Sequence, residues 1–355
     1  MLHHHFQAGG SDYINQMIDI AVKNGTRNAI ITGNWEISSA IRIPSDFTLI
    51  LDSCHLRMAD GCYSNLFVNE HHDTPLGRTT AGTDRNISII GRGKAILDGG
   101  TYNGLSEKTQ CQNGLPPIWN NNLLLFTNVD GFRLSNLSFH NQRWWALNFI
   151  FCSNGHISEI DFLANCMMVD ENGSVHNGLR RSMPYHNIFV KNADGIDLRQ
   201  GCHHILIENI TGFTEDDSIA VTGLNGKLEQ YFAVHELPAD ICDITIKNVK
   251  TSSFCTNVRL LNQGDVRLHD IYIDGVYDMS ENSPYMDRGL YAVRIGDQNM
   301  YGSRHSTSNE TYNITVKNIR SRGLYAVQLN GAIDNLKMEN IQVFGNAKAI
   351  EDLRT

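Results

Sequence analysis

The sequence predicts one all-β domain over residues 1–355, folded as a single-stranded right-handed parallel β-helix (a solenoid) with a short N-terminal capping α-helix. Three observations support this prediction. A unit of 22–23 residues recurs along the chain, apolar and polar residues alternate within each unit, and only one helical pattern is present. The composition agrees, because 30 glycines and only 7 prolines suit many short strands joined by tight turns.

The helical pattern lies near the start of the chain, over residues 10–25. Ser11 or Asp12 is the expected N-cap, and Gly25 is the expected stop signal. The apolar residues follow the spacing i, i+4, i+7 and i+8, and they are Ile14, Ile18, Ala21 and Val22. A solenoid leaves a sheet edge open at each end, so we expect this helix to cover the first coil.

The repeat is read from seven segments with the pattern apolar-x-apolar-x-[Asn/Asp/Glu]-apolar. The polar marker residues are Asn136, Glu159, Asn209, Asn248, Asp270, Asn318 and Asn340. Successive markers lie 23, 50, 39, 22, 48 and 22 residues apart, which fits single and double units with one shortened pair. Stacked coils bring equivalent residues to about 4.8 Å. The markers are therefore expected at one corner of every coil, in a ladder of side-chain to backbone hydrogen bonds.

Composition and charge bear on the class of function. The net charge is −9 without a basic block, which argues against a nucleic-acid partner. No apolar run is long enough to span a membrane, and the first residues carry no hydrophobic leader, so a cytoplasmic protein is expected, or a secreted one whose signal was removed. No cofactor or resident metal is predicted, and a homo-oligomer is compatible with the sequence. The eight cysteines form no CxxC pair and are expected to be free, mostly buried thiols.

The densest group of acids on the repeat frame contains the candidate catalytic residues. Asp194 and Asp216 are 22 residues apart, which predicts that they stack on neighbouring coils, with Glu215 and Asp217 beside them. Asp197 aligns with Ile219 in the same frame. Crowded carboxylates raise at least one pKa, which supplies an acid and a base from one residue type. Two alternatives remain: aspartates that cap turns, and a Ca²⁺ site.

These residues also carry a resemblance to a known family. The segments "NADGIDL" (192–198) and "EDDSIAV" (215–221) resemble the glycoside hydrolase family 28 motifs NTDGID and GDDCIAI. Residues 115–154 are similar to the upstream segment of the same family, which includes polygalacturonases and rhamnogalacturonases. The resemblance implies a β-helix that hydrolyses a carbohydrate substrate with inversion. It implies Asp216 as the general acid and Asp194 with Asp217 as the residues that hold and deprotonate water.

Several positions depart from the family pattern around the acids. Glu215 replaces the glycine of the GDD motif, and the family's GHG motif is absent, so that His235 is the nearest candidate. Arg259 matches the arginine of the family's RIK motif, but Leu261 stands where the family has lysine. Trp145 takes the position of the family's tryptophan. The candidate substrate-binding residues are therefore Arg259, His235, Trp145 and Glu215, and a less charged sugar than polygalacturonate is expected.

Two other functions fit the same scaffold. One is a polysaccharide lyase or another glycan-rearranging enzyme, and the other is a β-helix that binds glycans without catalysis. Longer insertions, at about 70–86, 101–116, 168–186, 223–240 and 278–310, are expected to form loops beside the binding face. Their aromatic and charged candidates for sugar contacts are His71, His72, Arg180, Arg181, Tyr185, His235, Tyr285 and Arg288.

Overall fold

The computed structural model describes residues 5–100, 118–143, 145–164, 168–169, 175–176, 194–263, 266–283, 289–296 and 306–354. Part of the predicted loop set lies outside the described residues. This part comprises 101–116, most of 168–186 and the candidates Trp144, Arg180, Arg181, Tyr185, Tyr285 and Arg288.

The described chain forms two columns of parallel strands that run the length of a solenoid. The first column contains β1 (Asn28–Ile37), β3 (Thr48–Met58), β5 (Asp84–Asp98), β6 (Leu124–His140), β7 (Leu147–Leu163), β11 (His203–Thr214), β13 (Ile241–Ser253), β15 (Leu268–Asp278), β17 (Thr311–Ser321) and β19 (Asp334–Val343). The second contains β2 (Ile41–Ile43), β4 (Phe67–Asn69), the first residues of β6 and β7, β10 (Ile196–Leu198), β12 (Ile219–Gly223), β14 (Thr256–Asn262), β16 (Tyr291–Ile295), β18 (Tyr325–Leu329) and β20 (Lys348–Asp352). A separate antiparallel pair joins β8 (Met168–Val169) to β9 (Val175–His176).

This architecture confirms the predicted right-handed parallel β-helix. Alternate residues of each strand point into the solenoid, where residues in register stack into apolar columns. One such column is buried completely in the second sheet and consists of Ile196, Ile219, Val258, Val293 and Val327. The residues between them in sequence point outward, which is how the strands present polar groups on the surface.

The strands of the first column bend at a corner where residues adopt positive φ. Six of the seven markers lie there, from Asn136 (φ 58°) to Asn340 (φ 55°). Asp270 does not: the register of β15 on β17 pairs it with Asn313, on a second corner, and Gly275 occupies the marker position. That marker assignment was wrong because both corners carry short polar residues that tolerate the left-handed conformation.

The marker ladder exists, but its bonds run mostly between side chains. The Asn248 amide donates to Asn209 Oδ1 at 2.6 Å, and the Asn209 amide donates to Glu159 Oε1 at 2.7 Å. Asn136 instead donates to the backbone oxygen of Gly91, as the predicted type would. Because each amide both donates and accepts, neighbouring coils are linked without any buried charge.

The N-terminal helix α1 (Gly10–Lys23) packs on β1 and β2, with Ile14, Ile18 and Ala21 buried. Two details differ from the prediction. Gly9 is the N-cap, and Ser11 lies inside the helix, where its hydroxyl accepts bonds from the backbone of the chain after β1. Val22 is 37 % exposed, so the buried stripe is narrower than the spacing suggested.

The six described cysteines are free, and four of them are buried, as predicted; Cys111 and Cys166 lie outside the described residues. Among the described helices none is long and apolar enough to cross a membrane.

Candidate active site

The acids meet where β10 lies beside β12, and the strand register fixes which acids stack. Ile196 pairs with Ile219, a step of 23 residues, and the Gly195 amide donates to the Asp217 backbone oxygen at 2.9 Å. Asp194 is therefore opposite Asp217, and Asp197 is opposite Ala220. The predicted pairings of Asp194 with Asp216 and of Asp197 with Ile219 were each wrong by one residue, because the repeat length from sequence was 22–23.

A break between β11 and β12 allows two consecutive aspartates to approach each other. In a regular strand Asp216 and Asp217 would point to opposite faces. The chain instead bends after Thr214, whose hydroxyl donates to the Asp216 backbone oxygen at 2.8 Å, and Ser253 Oγ donates to the same oxygen at 2.7 Å. Carboxyl oxygens of Asp216 and Asp217 consequently lie within 4.8 Å of each other.

The three predicted catalytic acids differ in burial. Asp194 is 6 % exposed and Asp217 is 2 % exposed, whereas Asp216 is half-buried. Asp217 pairs with Arg259, whose guanidinium lies 3.3 Å from Oδ2. Asp216 is thus the acid of this group with the greatest access to a bound molecule.

A fourth acid, Asp197, belongs to the site although the sequence analysis gave it no role. Its neighbours Ile196 and Leu198 are in the core, so its side chain points outward, toward the same side as the other acids. It is nevertheless only 1 % exposed, and it is hydrogen-bonded to the Asp194 side chain. The sequence signal for it was its place in "NADGIDL", three residues after Asp194.

Arg199 connects this acid to its surroundings. The guanidinium of Arg199 contacts Asp197 Oδ1 at 3.3 Å and Glu229 Oε1 at 2.7 Å, and it also donates to Asn148 Oδ1 at 3.2 Å. Glu229 comes from α2 (Lys227–Tyr231), a short helix in the 223–240 insertion. Because all of these groups are buried, the network ties the insertion firmly to the floor of the site.

Trp145 lies beneath this network. The Arg199 guanidinium carbon is 4.1 Å from the centre of its ring, and the ring packs in an apolar cluster that includes Leu228 and Phe232. Only 5 % of Trp145 is exposed. Its contact with the site therefore runs through Arg199, in a cation–π arrangement, and its ring is not an open stacking surface.

The remaining candidates lie at different distances from the acids. Glu215 is buried beside Asp216, with 1 % exposed. Leu261 is buried, and its register partner on β12 is Thr222. His235 is exposed and lines a cleft with Gln200, and none of its described contacts reaches the acids.

The outward row that contains Arg259 continues on the next coil. Arg259 is in register with Arg294 of β16, which is half-buried and lies over the edge of Tyr291. The sequence analysis missed Arg294 because it lies in a strand outside the recognised motifs.

The electrostatic environment favours protonation of the two innermost acids. Burial is the main cause that raises the pKa of Asp194 well above its ordinary value, and the carboxylates of Asp197, Asp216 and Asp217 raise it further. Burial likewise raises the pKa of Asp197 to about 7, against the opposing attraction of Arg199.

Metal ligation was tested on the donor atoms. Asp216, Asp217 and Cys255 place one potential ligand atom each within 4.8 Å of the others. A thiol does not suit a hard cation such as Ca²⁺, and burial raises the pKa of Cys255 well above its usual value, which opposes the thiolate that zinc requires. This set therefore does not fit either ion.

Comparison with known proteins agrees with the motifs. Residues 64–231, just under half of the chain, match the model of the glycosyl hydrolases family 28. The matched stretch contains Asp194, Asp216 and Asp217, so the resemblance to this family is confirmed there. No curated protein matches the chain in sequence.

Three solved structures share the fold over nearly the whole chain. A hyperthermoactive exopolygalacturonase from Thermotoga maritima has a TM-score of 0.56 at 15 % identity, with 97 % of this chain and 88 % of that one covered. A tailspike protein of E. coli bacteriophage HK620 has a TM-score of 0.56 at 12 % identity, with coverages of 97 % and 61 %. A polygalacturonase from Erwinia carotovora has a TM-score of 0.51 at 14 % identity, with coverages of 92 % and 85 %. At such identities the likeness establishes the fold alone.

Proposed function

We propose that this protein hydrolyses a glycosidic bond in an oligo- or polysaccharide by acid–base catalysis with inversion. The observation that carries the proposal is the convergence of Asp194, Asp216 and Asp217 at one bend of the solenoid, inside the stretch that matches family 28. Hydrolysis of this type needs one carboxyl group to protonate the leaving oxygen and another to deprotonate water.

The burial of each acid supports a division of roles. Asp216 is half-buried and accessible, so it is assigned as the general acid on the leaving oxygen. Asp217 forms a salt bridge with Arg259 as a carboxylate, and it lies opposite Asp194 on the next coil. Asp194 and Asp217 are therefore assigned to hold and deprotonate the attacking water.

The stereochemical outcome is the sharpest test of this assignment. Inverting enzymes generally place their two carboxyl groups about 6.5–9.5 Å apart, and retaining enzymes about 5–5.5 Å apart. The 4.8 Å limit between Asp216 and Asp217 refers to their nearest oxygens and so lies below the mean separation of the groups. The water must accordingly be held on the Asp194 side of Asp217, away from Asp216.

The substrate is proposed to be less charged than polygalacturonate. Arg259 is already paired with Asp217, and the position where family 28 has a lysine is the buried Leu261. The net charge of −9 also disfavours long-range attraction of a polyanion.

The test combines product analysis with one variant. The protein is incubated with a panel of neutral and uronic oligosaccharides, and NMR identifies the first anomer released. We expect the inverted anomer, and we expect Asp216→Asn to lower kcat by ~10²–10⁴-fold without a change in fold, since an amide cannot donate the catalytic proton. Asp161→Asn is the matched control, because Asp161 lies on β7 and accepts a hydrogen bond from Thr211 outside the acid cluster.

Three outcomes contradict the proposal. Release of the retained anomer would reject inversion, and full turnover by Asp216→Asn would reject that residue as the acid. Products that absorb in the ultraviolet because of a new double bond would indicate a lyase.

A further inference from the structure

The contact between Asp194 and Asp197 requires a proton. Two carboxyl groups can be hydrogen-bonded to each other only when one of them is protonated, because an ionised carboxylate accepts bonds and donates none. Here both groups are buried and bonded to each other. In the described part of the chain, Asp194 Oδ1 and Asp197 Oδ2 have no other hydrogen-bond partner.

The charges around this contact leave it short of cations. Facing it are Asp216 and Asp217 from the bend before β12, Glu229 from α2, Arg199 from the same segment as Asp197, Arg259 from β14 and the neutral Asn148 from β7. Arg199 is shared between Asp197 and Glu229, and Arg259 is used by Asp217. No guanidinium therefore contacts Asp194 among these groups, and a proton is the remaining means of reducing its charge.

We propose that Asp194 and Asp197 share a single proton, and that Asp197, held by Arg199, is the positioning residue that sets the ionisation of Asp194. The pair then carries one negative charge spread over two groups. This mechanistic role rests on the function proposed above, in which Asp194 helps to bind and deprotonate water. Asp197 itself contacts no substrate in this scheme, since it acts only through Asp194.

The raised pKa values are consistent with such a pair. Burial raises the pKa of both groups, to about 7 for Asp197 and well above the ordinary value for Asp194. Strongly coupled acids lose their protons in two macroscopic steps that belong to the pair. One step is therefore expected near neutral pH, and it should control when Asp194 can act as a base.

The variant Asp197→Asn separates this role from a purely structural one. Asparagine keeps the size of the side chain and can still donate a hydrogen bond to Asp194, but it brings no negative charge. Asp194 should then ionise at lower pH, because a repelling carboxylate has been removed. We expect the acidic limb of the kcat/KM profile to move down by about one pH unit or more, with the maximal rate lowered about 10-fold at most. The control Asp161→Asn should leave the limb in place.

A second readout does not depend on any substrate. In protein labelled with ¹³C at the aspartate carboxyl carbons, NMR titration of the wild type should show a carboxyl group that titrates near pH 7. This titration should disappear in Asp197→Asn and in Asp194→Asn, and it should persist in Asp161→Asn. Asp194→Asn provides the test if Asp197→Asn fails to fold, since either change removes one member of the pair.

The outcomes separate the two proposals. If the near-neutral titration is absent from the wild type, or survives both substitutions, the shared proton is disproved. An unchanged acidic limb in an active Asp197→Asn protein would reject the positioning role. If the titration behaves as expected and no oligosaccharide is cleaved, the proposed hydrolysis fails while the proton pair stands.

Discussion

Two positions seven residues apart, Asn209 in β11 and Asp216 just beyond its end, use coil stacking in opposite ways. At the corner, Asn209 bonds to Glu159 on one coil and to Asn248 on the other, and its positive φ matches a residue type that tolerates it. At the bend, Asp216 lies within 4.8 Å of Asp217, and buried acids crowd around them.

The difference shows what each region is suited for. A ladder of amides satisfies its own donors and acceptors, so it can repeat along the solenoid and stabilise every coil equally. A cluster of acids cannot repeat, because each added carboxylate repels the others and loses solvation on burial. The acid cluster is therefore confined to two neighbouring coils, and it persists only with the cations Arg199 and Arg259 beside it.

The largest effect is expected from removing a cation of the acid cluster. Arg199→Met leaves Asp197 and Glu229 buried without their guanidinium, and loss of one partner of a buried pair typically costs about 3–5 kcal/mol. The urea midpoint at pH 8 should fall accordingly. The matched control is Arg267→Met, whose pair with Asp240 is exposed, and it should leave the midpoint nearly unchanged. Equal effects of the two substitutions would contradict the contrast.

The pH dependence of stability should reveal the same cluster with a smaller effect. An acid whose pKa is raised on folding binds more protons in the native state, so its contribution to stability is lost as pH rises from about 4 to about 7. The buried His72, whose pKa burial lowers to about 4, acts in the opposite sense over that window. The prediction therefore concerns a difference: the urea midpoint of Asp197→Asn should gain on that of the wild type between pH 4 and pH 7. A constant difference across this range would show that Asp197 carries no raised pKa.

The smallest effect is expected at the corner ladder. Asn248→Ala removes a hydrogen bond to Asn209 and places a Cβ-bearing residue without a local polar group at φ 52°, which should cost about 1–2 kcal/mol. Asn248→Gly removes the same bond but accepts the positive φ, so it should cost less, as Gly275 shows at the equivalent place two strands along the ladder. Urea denaturation of both variants measures the two terms. A larger loss with glycine than with alanine would mean that the backbone conformation is not what selects asparagine.

The sequence predicted the solenoid well because a periodic pattern is a property of the chain itself. Alternation and unit length do not depend on contacts between distant residues, and they placed Asp194 beside the Asp216–Asp217 pair. The same pattern left an uncertainty of one residue in the register, which decided whether Asp216 or Asp217 faces Asp194.

Contacts made by the insertions could not be predicted. Glu229 lies in a segment without periodicity, and only folding brings α2 against Arg199. Trp145 appeared to be a candidate for sugar stacking until Leu228 and Phe232 of that region were seen to bury it. His235, in the same insertion, has no described contact with the acids. Burial and ion pairing in this site are tertiary properties, and the motifs carry no record of them.

The register between Ile196 and Ile219 makes one coil a molecular ruler. Between these residues the chain spends 23 positions on a single uninterrupted turn, whereas the following step from Ile219 to Val258 takes 39 and carries an extra loop. Loops inserted elsewhere can lengthen, shorten or diverge and reshape the cleft, and the stacked acids would keep their spacing. Insertion of even one residue between Arg199 and Thr214 would shift that spacing, so variation of specificity in this scaffold is free to occur everywhere except along this turn.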